Sequence, residues 1–289
     1  MDWQGRMVAA IDWIEAHLTE DFDVERAAAA ANASAFHFMR MFDVITGISP
    51  AEYARRRRLT RAAIDLASTD DRIIDVALRY GYDSPDSFAR AFKREFNCLP
   101  SEARRPGASL HSYPPLSFTV ALRGDKPMEF RVERGQALSL TGIATRVRKA
   151  NGENFIAVPA FWERADADGS FAALCKKATP RRLGVIGVCH EFDCVTGDFT
   201  YAIAIERPDD RSGLPERCVD FEVPASTWAK VTSRGPLRAN FQDTIKRIYS
   251  EWFPSSGREH AGTAEIEYYP DLPDAEALDY WCEYWVPIR

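Results

Sequence analysis

Residues 34–53 read SAFHFMRMFDVITGISPAEY, and residues 84–103 read SPDSFARAFKREFNCLPSEA. At a shift of 50 positions Ser34 falls on Ser84, Phe38 on Phe88, Arg40 on Arg90, Phe42 on Phe92, Pro50 on Pro100 and Glu52 on Glu102. A Phe-x-Arg-x-Phe core found twice with aligned flanks marks a duplicated unit. Ser34 and Ser84 suit helix N-caps, because their hydroxyls can accept from first-turn amides, and Pro85 at the first helical position gives up only an N–H that has no partner there. Phe38 and Phe42, like Phe88 and Phe92, lie four apart and share a helix face, so all four are expected to be packing residues; Arg40 and Arg90 are expected to point away from that face. A short helical stretch precedes each copy, over 24–31 and 72–80, and ends in Asn32-Ala33 or Gly81-Tyr82-Asp83. Gly81 fits the left-handed position that closes a helix. Helix, tight turn and a second helix with a polar face make the helix-turn-helix plan, here present twice.

Between the copies, Ser49-Pro50-Ala51-Glu52 has the form of a capping box with proline in the first turn. Leu59, Ala62, Ala63 and Leu66 then form the apolar stripe of one longer helix. Such a helix would hold two units at fixed separation on one side of a duplex, where successive major-groove faces recur about every 34 Å. The expected footprint is two adjacent turns, and a monomer would suffice to cover it.

The bulk numbers fit this picture. A chain of 289 residues with 46% apolar and 28% charged residues is long enough for two ordinary domains, each with its own core. No apolar run reaches the roughly 18 to 20 residues of a membrane span. The first residues, MDWQGRMVAAIDWIEAHL, carry acids early and lack a signal-peptide apolar region, so a cytoplasmic location is expected. The six cysteines are scattered without a C-x-x-C pair, which favours free thiols over a metal site or a redox centre. The net charge of −6 looks wrong for a nucleic-acid binder. Phosphate contacts are local, however, and the cations cluster at Arg55, Arg56, Arg57, Arg58 and Arg61 and again at Arg90, Lys93, Arg94, Arg104 and Arg105.

Pro106-Gly107-Ala108-Ser109 and Tyr113-Pro114-Pro115 break the helical pattern. Beyond Met128, strand candidates fall at 129–133, 139–146, 185–191, 200–206, 227–232, 264–268 and 280–286, with helices over 158–167 and 237–252. The second of these carries the stripe Leu237, Phe241, Ile245, Ile248 and Trp252. Two strands, a helix and two strands, repeated once, imply two related halves about a cleft.

The first part resembles the AraC/XylS-type DNA-binding domain. The likeness runs from about Trp3 to Arg105, is most specific over Ile73 to Arg104, and includes Arg58-Leu59-Thr60-Arg61-Ala62 as a linker-helix motif. It implies that Ala35, Phe36, Met39 and Arg40 of the first unit and Pro85, Asp86 and Arg90 of the second face bases or phosphates. Either arginine could hold guanine O6 and N7 bidentately or clamp phosphate, whereas Phe36 and Met39 could meet only thymine methyls or sugar. Pro85 and Asp86 are poor phosphate partners, so the second unit is expected to read fewer bases.

The remainder, Met128 to Arg289, resembles the GyrI-like effector-binding domains through Val158-Pro159-Ala160-Phe161-Trp162-Glu163, Leu183-Gly184-Val185-Ile186-Gly187-Val188 and Tyr201-Ala202-Ile203-Ala204, and most specifically through Glu251-Trp252-Phe253-Pro254-Ser255-Ser256-Gly257 and Ile266-Glu267-Tyr268-Tyr269-Pro270. That resemblance implies a carboxylate, Glu267, in an aromatic cleft that takes a cationic or aromatic small molecule; aromatic faces attract cations through their quadrupole. Trp162, Tyr201, Trp281, Glu283 and Trp285 are further candidates, the last three because they alternate onto one strand face.

The expected architecture is therefore an all-α double helix-turn-helix domain over 1–106, a linker over 107–127, and an α+β domain over 128–289 built as two pseudo-symmetric strand–helix–strand–strand halves around a cleft. Expected partners are double-stranded DNA, a small-molecule effector and RNA polymerase, with no membrane, no metal and no cofactor. Two other readings of the second half stand beside this one. Glu267 could activate water as a hydrolase of electrophilic compounds, although no Ser-His-Asp, Cys-His or metal-ligand set is present. Alternatively, the half could sequester a protein partner.

Overall fold

The computed structural model describes residues 3–105, 107–108, 110–117, 127–149, 152–178, 183–270 and 274–289. By internal contacts the chain divides into two compact units, Met1–Ala35 with Ser49–Val120 and Phe36–Ile48 with Ala121–Arg289. This division cuts across the partition expected at residues 106 and 128, because the helix that carries the first Phe-x-Arg-x-Phe motif groups with the second unit. Part of the expected linker, 118–126, lies outside the described residues.

The first unit holds α1 (Trp3–Ala16), α2 (Val24–Ala30), α4 (Pro50–Ser68), α5 (Ile73–Arg79), α6 (Pro85–Phe96) and α7 (Pro100–Ala103), while α3 (Ala35–Thr46) belongs from Phe36 onward to the second. The caps follow the sequence. The Ser84 hydroxyl accepts from the Ser87 amide at 3.2 Å, and Ser49 does the same for Glu52. Only half of the capping box forms, because the Glu52 carboxylate accepts from Arg55 and Arg56 instead. Gly81 is left-handed at φ 78°, and Gly47 and Asn97, equivalent positions of the two copies, are left-handed at 79° and 57°. The stripe Leu59, Ala62, Ala63 and Leu66 packs with Val76, Ala77, Tyr80, Phe88, Phe92 and Phe96. Each of those phenylalanines contributes roughly 1.5 to 3 kcal/mol by leaving water.

The arginine run on α4 is largely spent inside the unit. Arg57 is buried and donates to both oxygens of Glu15, Arg55 bridges Glu52 and Glu95, and Arg58 bonds the Glu20 carbonyl. Helix α6 carries three exposed cations, Arg90, Lys93 and Arg94, while Arg61 on α4 is exposed as well.

The second unit is built on one eight-stranded antiparallel sheet. Its strands are β1 (Phe130–Gly135), β2 (Leu138–Val147), β3 (Ile186–His190), β4 (Phe199–Glu206), β5 (Val219–Val223), β6 (Ser226–Arg234), β7 (Glu265–Tyr268) and β8 (Trp281–Ile288), in the order β1-β6-β8-β7-β3-β4-β2-β5. Exchanging β1 with β5, β2 with β6, β3 with β7 and β4 with β8 reverses that order into itself. The two halves are thus related by a pseudo-twofold axis between β3 and β7, and each half lends its first strand to the far edge of the other. Helices α8 (Asn154–Ala167) and α9 (Ser170–Lys177) cover one half, and α10 (Leu237–Arg247) covers the same face of the other. Neither β5 nor α9 was expected. Asp220 and Glu222 disguise an edge strand, because acids are poor strand formers.

The expected helix over 237–252 is also not a single α-helix. It passes at Ile248–Trp252 into a π-turn and then into α11 (Phe253–Ser256). Pro254 accounts for the widening, since it lacks an N–H and its ring crowds the carbonyl four residues back. The extra residue in the turn brings Ile248 and Tyr249 inward side by side, both fully buried.

Candidate functional site

Strand β7 reads Glu265-Ile266-Glu267-Tyr268, so its two carboxylates point to the same side. Register pairs Glu265 with Cys189, Glu267 with Gly187 and Tyr284, and Cys189 with Tyr201. Residues directly opposite share a face, and this is the helix-covered one. Two acids therefore stand on the floor of the unit beside its pseudo-axis, Glu265 at 0% and Glu267 at 7% exposure.

Glu267 accepts hydrogen bonds from the hydroxyls of Tyr201 and, at 2.7 Å, Tyr269; Tyr201 in turn accepts from the Trp162 indole at 2.8 Å. Burial pushes the Glu267 carboxyl above its ordinary range, and the two hydroxyls recover only part of that cost. Gly187 makes the arrangement possible, for a Cβ there would run into both the Tyr201 hydroxyl and the Glu267 carboxylate.

Glu265 is held differently. Arg40 donates to it bidentately, Nε to Oε1 at 2.9 Å and Nη2 to Oε2 at 2.5 Å. The hydroxyls of Tyr249 and Tyr284 also donate to it, and His260 Nε2 lies 3.1 Å away. His260 Nδ1 accepts from the Gly262 amide, which leaves Nε2 as the protonated nitrogen of the neutral ring. Burial alone would raise the Glu265 carboxyl, but the Arg40 charge and the His260 and Tyr249 donors outweigh it and hold the group far below the usual carboxylate range. The guanidinium also lies over two rings, 4.9 Å from the centroid of Phe192 and 5.3 Å from that of Tyr249. Asp43, one turn further along α3, pairs with Lys149.

Arg40 thus does not point outward as expected. Helix α3 is buried around its whole circumference, from His37 through Asp43 without a break. Met39 is 0% exposed and Ala35 is buried, and Phe36 packs on His260 and Phe192 at centroid distances of 4.7 and 5.4 Å. The second copy behaves as the sequence leads one to expect. Phe88, Phe92 and Phe96 of α6 face inward while Pro85, Asp86 and Arg90 are exposed.

Of the six cleft candidates the structure brings together Trp162, Tyr201 and Glu267. Trp281, Glu283 and Trp285 do share a face, but it is the opposite one. Because Glu267 opposes Tyr284, the neighbours of Tyr284 turn to the other side of the sheet. There Glu283 accepts from Arg131 and from the Trp285 indole, Lys230 sits 3.8 Å from the Trp285 ring centroid, and Trp281 packs on Tyr268. Sequence reasoning overlooked Glu265, Tyr249, Tyr284, His260 and Tyr269. The signal for Glu265 was available in two acids spaced by two within an otherwise apolar strand.

Comparison with known proteins bears on both units. The family described as integron-associated effector binding protein matches residues 131–288, and a helix-turn-helix domain family matches residues 27–106. The chain belongs to the integron-associated effector binding protein family, with an AraC-type helix-turn-helix module ahead of that half. Transcriptional regulator Rob of Salmonella typhimurium is 38% identical over 125 residues, covering 42% of this chain and 43% of that protein. The chain therefore spans less than half the length of that relative. Regulatory protein SoxS of Salmonella typhimurium is 36% identical over 104 residues, which is 36% of this chain and 97% of SoxS. The solved structure of SAV2435 bound to tetraphenylphosphonium is 20% identical with a TM-score of 0.49, covering 56% of this chain and 94% of that one. Among the described residues, no helix of this family member is long and apolar enough to cross a membrane.

Proposed function

We propose that this protein is a DNA-binding transcription regulator whose second unit responds to a lipophilic, planar or delocalised cation. The observation that carries the effector assignment is the pair of buried carboxylates on one sheet face, one of which already holds a guanidinium between aromatic rings. A buried carboxylate without a counter-charge is costly, and a cation that shields it while stacking on tyrosine and phenylalanine satisfies both demands. Glu265, Glu267, Tyr201, Tyr249, Tyr284 and Trp162 are the residues assigned to recognition. On the DNA side, α6 offers Arg90 for guanine or phosphate and Lys93 and Arg94 for phosphate. RNA polymerase is the expected protein partner, through which occupancy of DNA would alter transcription.

A hydrolytic role is the second reading: Glu267 has a raised pKa, and because the Tyr201 and Tyr269 hydroxyls both donate to its Oε2, Oε1 is left to accept a proton from a water. The test is direct binding of rhodamine 6G, a fluorescent lipophilic cation, to the full chain by anisotropy. Saturable binding that Glu267→Gln weakens by roughly tenfold or more, at about 1.4 kcal/mol per tenfold, supports the reading. Binding that is absent, or indifferent to that change, contradicts it. Turnover of an epoxide or lactone lost in Glu267→Gln would favour the hydrolase instead.

A further inference from the structure

We propose that Arg40 is a built-in occupant of the cation site, so that α3 and a cationic effector compete for Glu265 and effector binding sets α3 free to read DNA. This rests on the effector reading of that face. Four observations carry it.

First, the site is filled by a cation of the chain's own. Arg40 makes two bonds to Glu265 and lies between two rings, which is how a planar cationic ligand would be held. Second, the helix that delivers Arg40 is the counterpart of α6, and the two differ in the one respect that matters. The polar face of α6 is exposed, while the corresponding face of α3 is turned into the sheet. Arg40 is bound to Glu265, Met39 is buried, and neither can touch bases in this arrangement. Third, α3 is held to the sheet unit by further contacts beside the Arg40 pair. The His260 amide donates to His37 Nδ1 at 3.1 Å, the His37 ring meets Phe253 at 5.0 Å, and Asp43 pairs with Lys149. Fourth, a buried arginine–carboxylate pair adds little stability over apolar residues of the same size, because desolvation offsets the attraction. A replaceable charge at that point is what a switch needs, since an incoming cation supplies the counter-charge that Glu265 loses when Arg40 departs.

The exchange conserves charge: one cation leaves the carboxylate and another takes its place. Equilibrium then depends on the effector binding the released form more tightly than the form in which α3 fills the site.

Amide hydrogen exchange on the full chain tests this, followed over peptides that cover 36–48. In the wild-type protein these amides are expected to be protected, and saturation with rhodamine 6G or the change Glu265→Gln is expected to speed their exchange by roughly tenfold or more, within the 5- to 150-fold span of ordinary coupling. Glu265→Gln should also raise the fraction of a random-sequence duplex pool retained without any cation, an outcome opposite to that of general damage. Should that variant fail to fold, Arg40→Gln removes the same pair from the other side and should give the same faster exchange. Unchanged exchange over 36–48 in the folded variants overturns the proposal. Rhodamine binding without any change in exchange also overturns it while leaving the effector reading intact. Faster exchange in Glu265→Gln with no rhodamine binding to any form supports the tether and removes the effector reading.

Discussion

Glu265 and Glu267 stand two residues apart on one strand, yet protons affect them in opposite ways. The raised carboxyl of Glu267 is easiest to bury when protonated, so its contribution to stability is fully present below the ordinary carboxylate range and is lost as pH rises through the raised value. The depressed carboxyl of Glu265 contributes above that range, and its contribution disappears only in strong acid. Thermal melts of wild type and Glu267→Gln across pH should therefore converge near pH ~4 and separate towards neutrality, with the glutamine variant the more stable. Parallel curves would show that Glu267 is not buried as described. A second residue-scale test is Gly187→Ala, whose added methyl must push apart Tyr201 and Glu267. It should cost about 1 to 3 kcal/mol of stability, measured by urea unfolding, and weaken rhodamine binding. Glu267 was reached through the resemblance to the GyrI-like effector-binding domains, which marks that position, whereas Glu265, two residues before it on the same strand, carries no such mark and was overlooked. The destination of Arg40 was not legible, for its partner lies 225 positions away and nothing local marks the pairing.

At the scale of elements, the duplicated helix-turn-helix was readable because caps, left-handed turns and phenylalanine spacing are local and recur in register. What could not be read was that the two copies would be used differently. Phe36 and Met39 are acceptable on either a DNA-facing or a buried face, and only the sheet decides between them. The π-turn at Ile248–Trp252 escaped for a similar reason, since Pro254 breaks an α-helix without saying how the chain continues. The asymmetry of the copies gives a measurable contrast. Arg90→Ala on exposed α6 should weaken specific DNA binding by about 1 to 3 kcal/mol if Arg90 holds a guanine, or lower the salt slope by about 1 if it holds a phosphate. Without a cation, Arg40→Ala should not show that loss, because Arg40 is already engaged. Equal losses for the two substitutions, measured on one duplex, would mean that both helices read DNA together in the unliganded protein.

At the scale of the whole molecule, the negative net charge of −6 is compatible with DNA binding because phosphate contacts are local and α6 presents three exposed cations, Arg90, Lys93 and Arg94, on one short helix. The arginine run on α4, which looked like the strongest electrostatic footprint, is instead a set of internal ties to Glu15, Glu52 and Glu95. Coupling between cation and DNA must be reciprocal: if the cation tightens DNA binding by some factor, DNA tightens cation binding by the same factor. Rhodamine 6G anisotropy with and without saturating duplex should therefore return the factor found in the converse titration, and a mismatch would point to a second cation site.

The most direct test of the central claim is a titration of the full chain against duplexes enriched from genomic fragments, at two salt concentrations and with or without saturating rhodamine 6G. The predicted result is affinity that falls steeply as salt rises, as counterion release requires, and that changes by roughly 5- to 150-fold when the cation is present. No enrichment over random fragments, or an affinity that the cation leaves unchanged, would contradict the account.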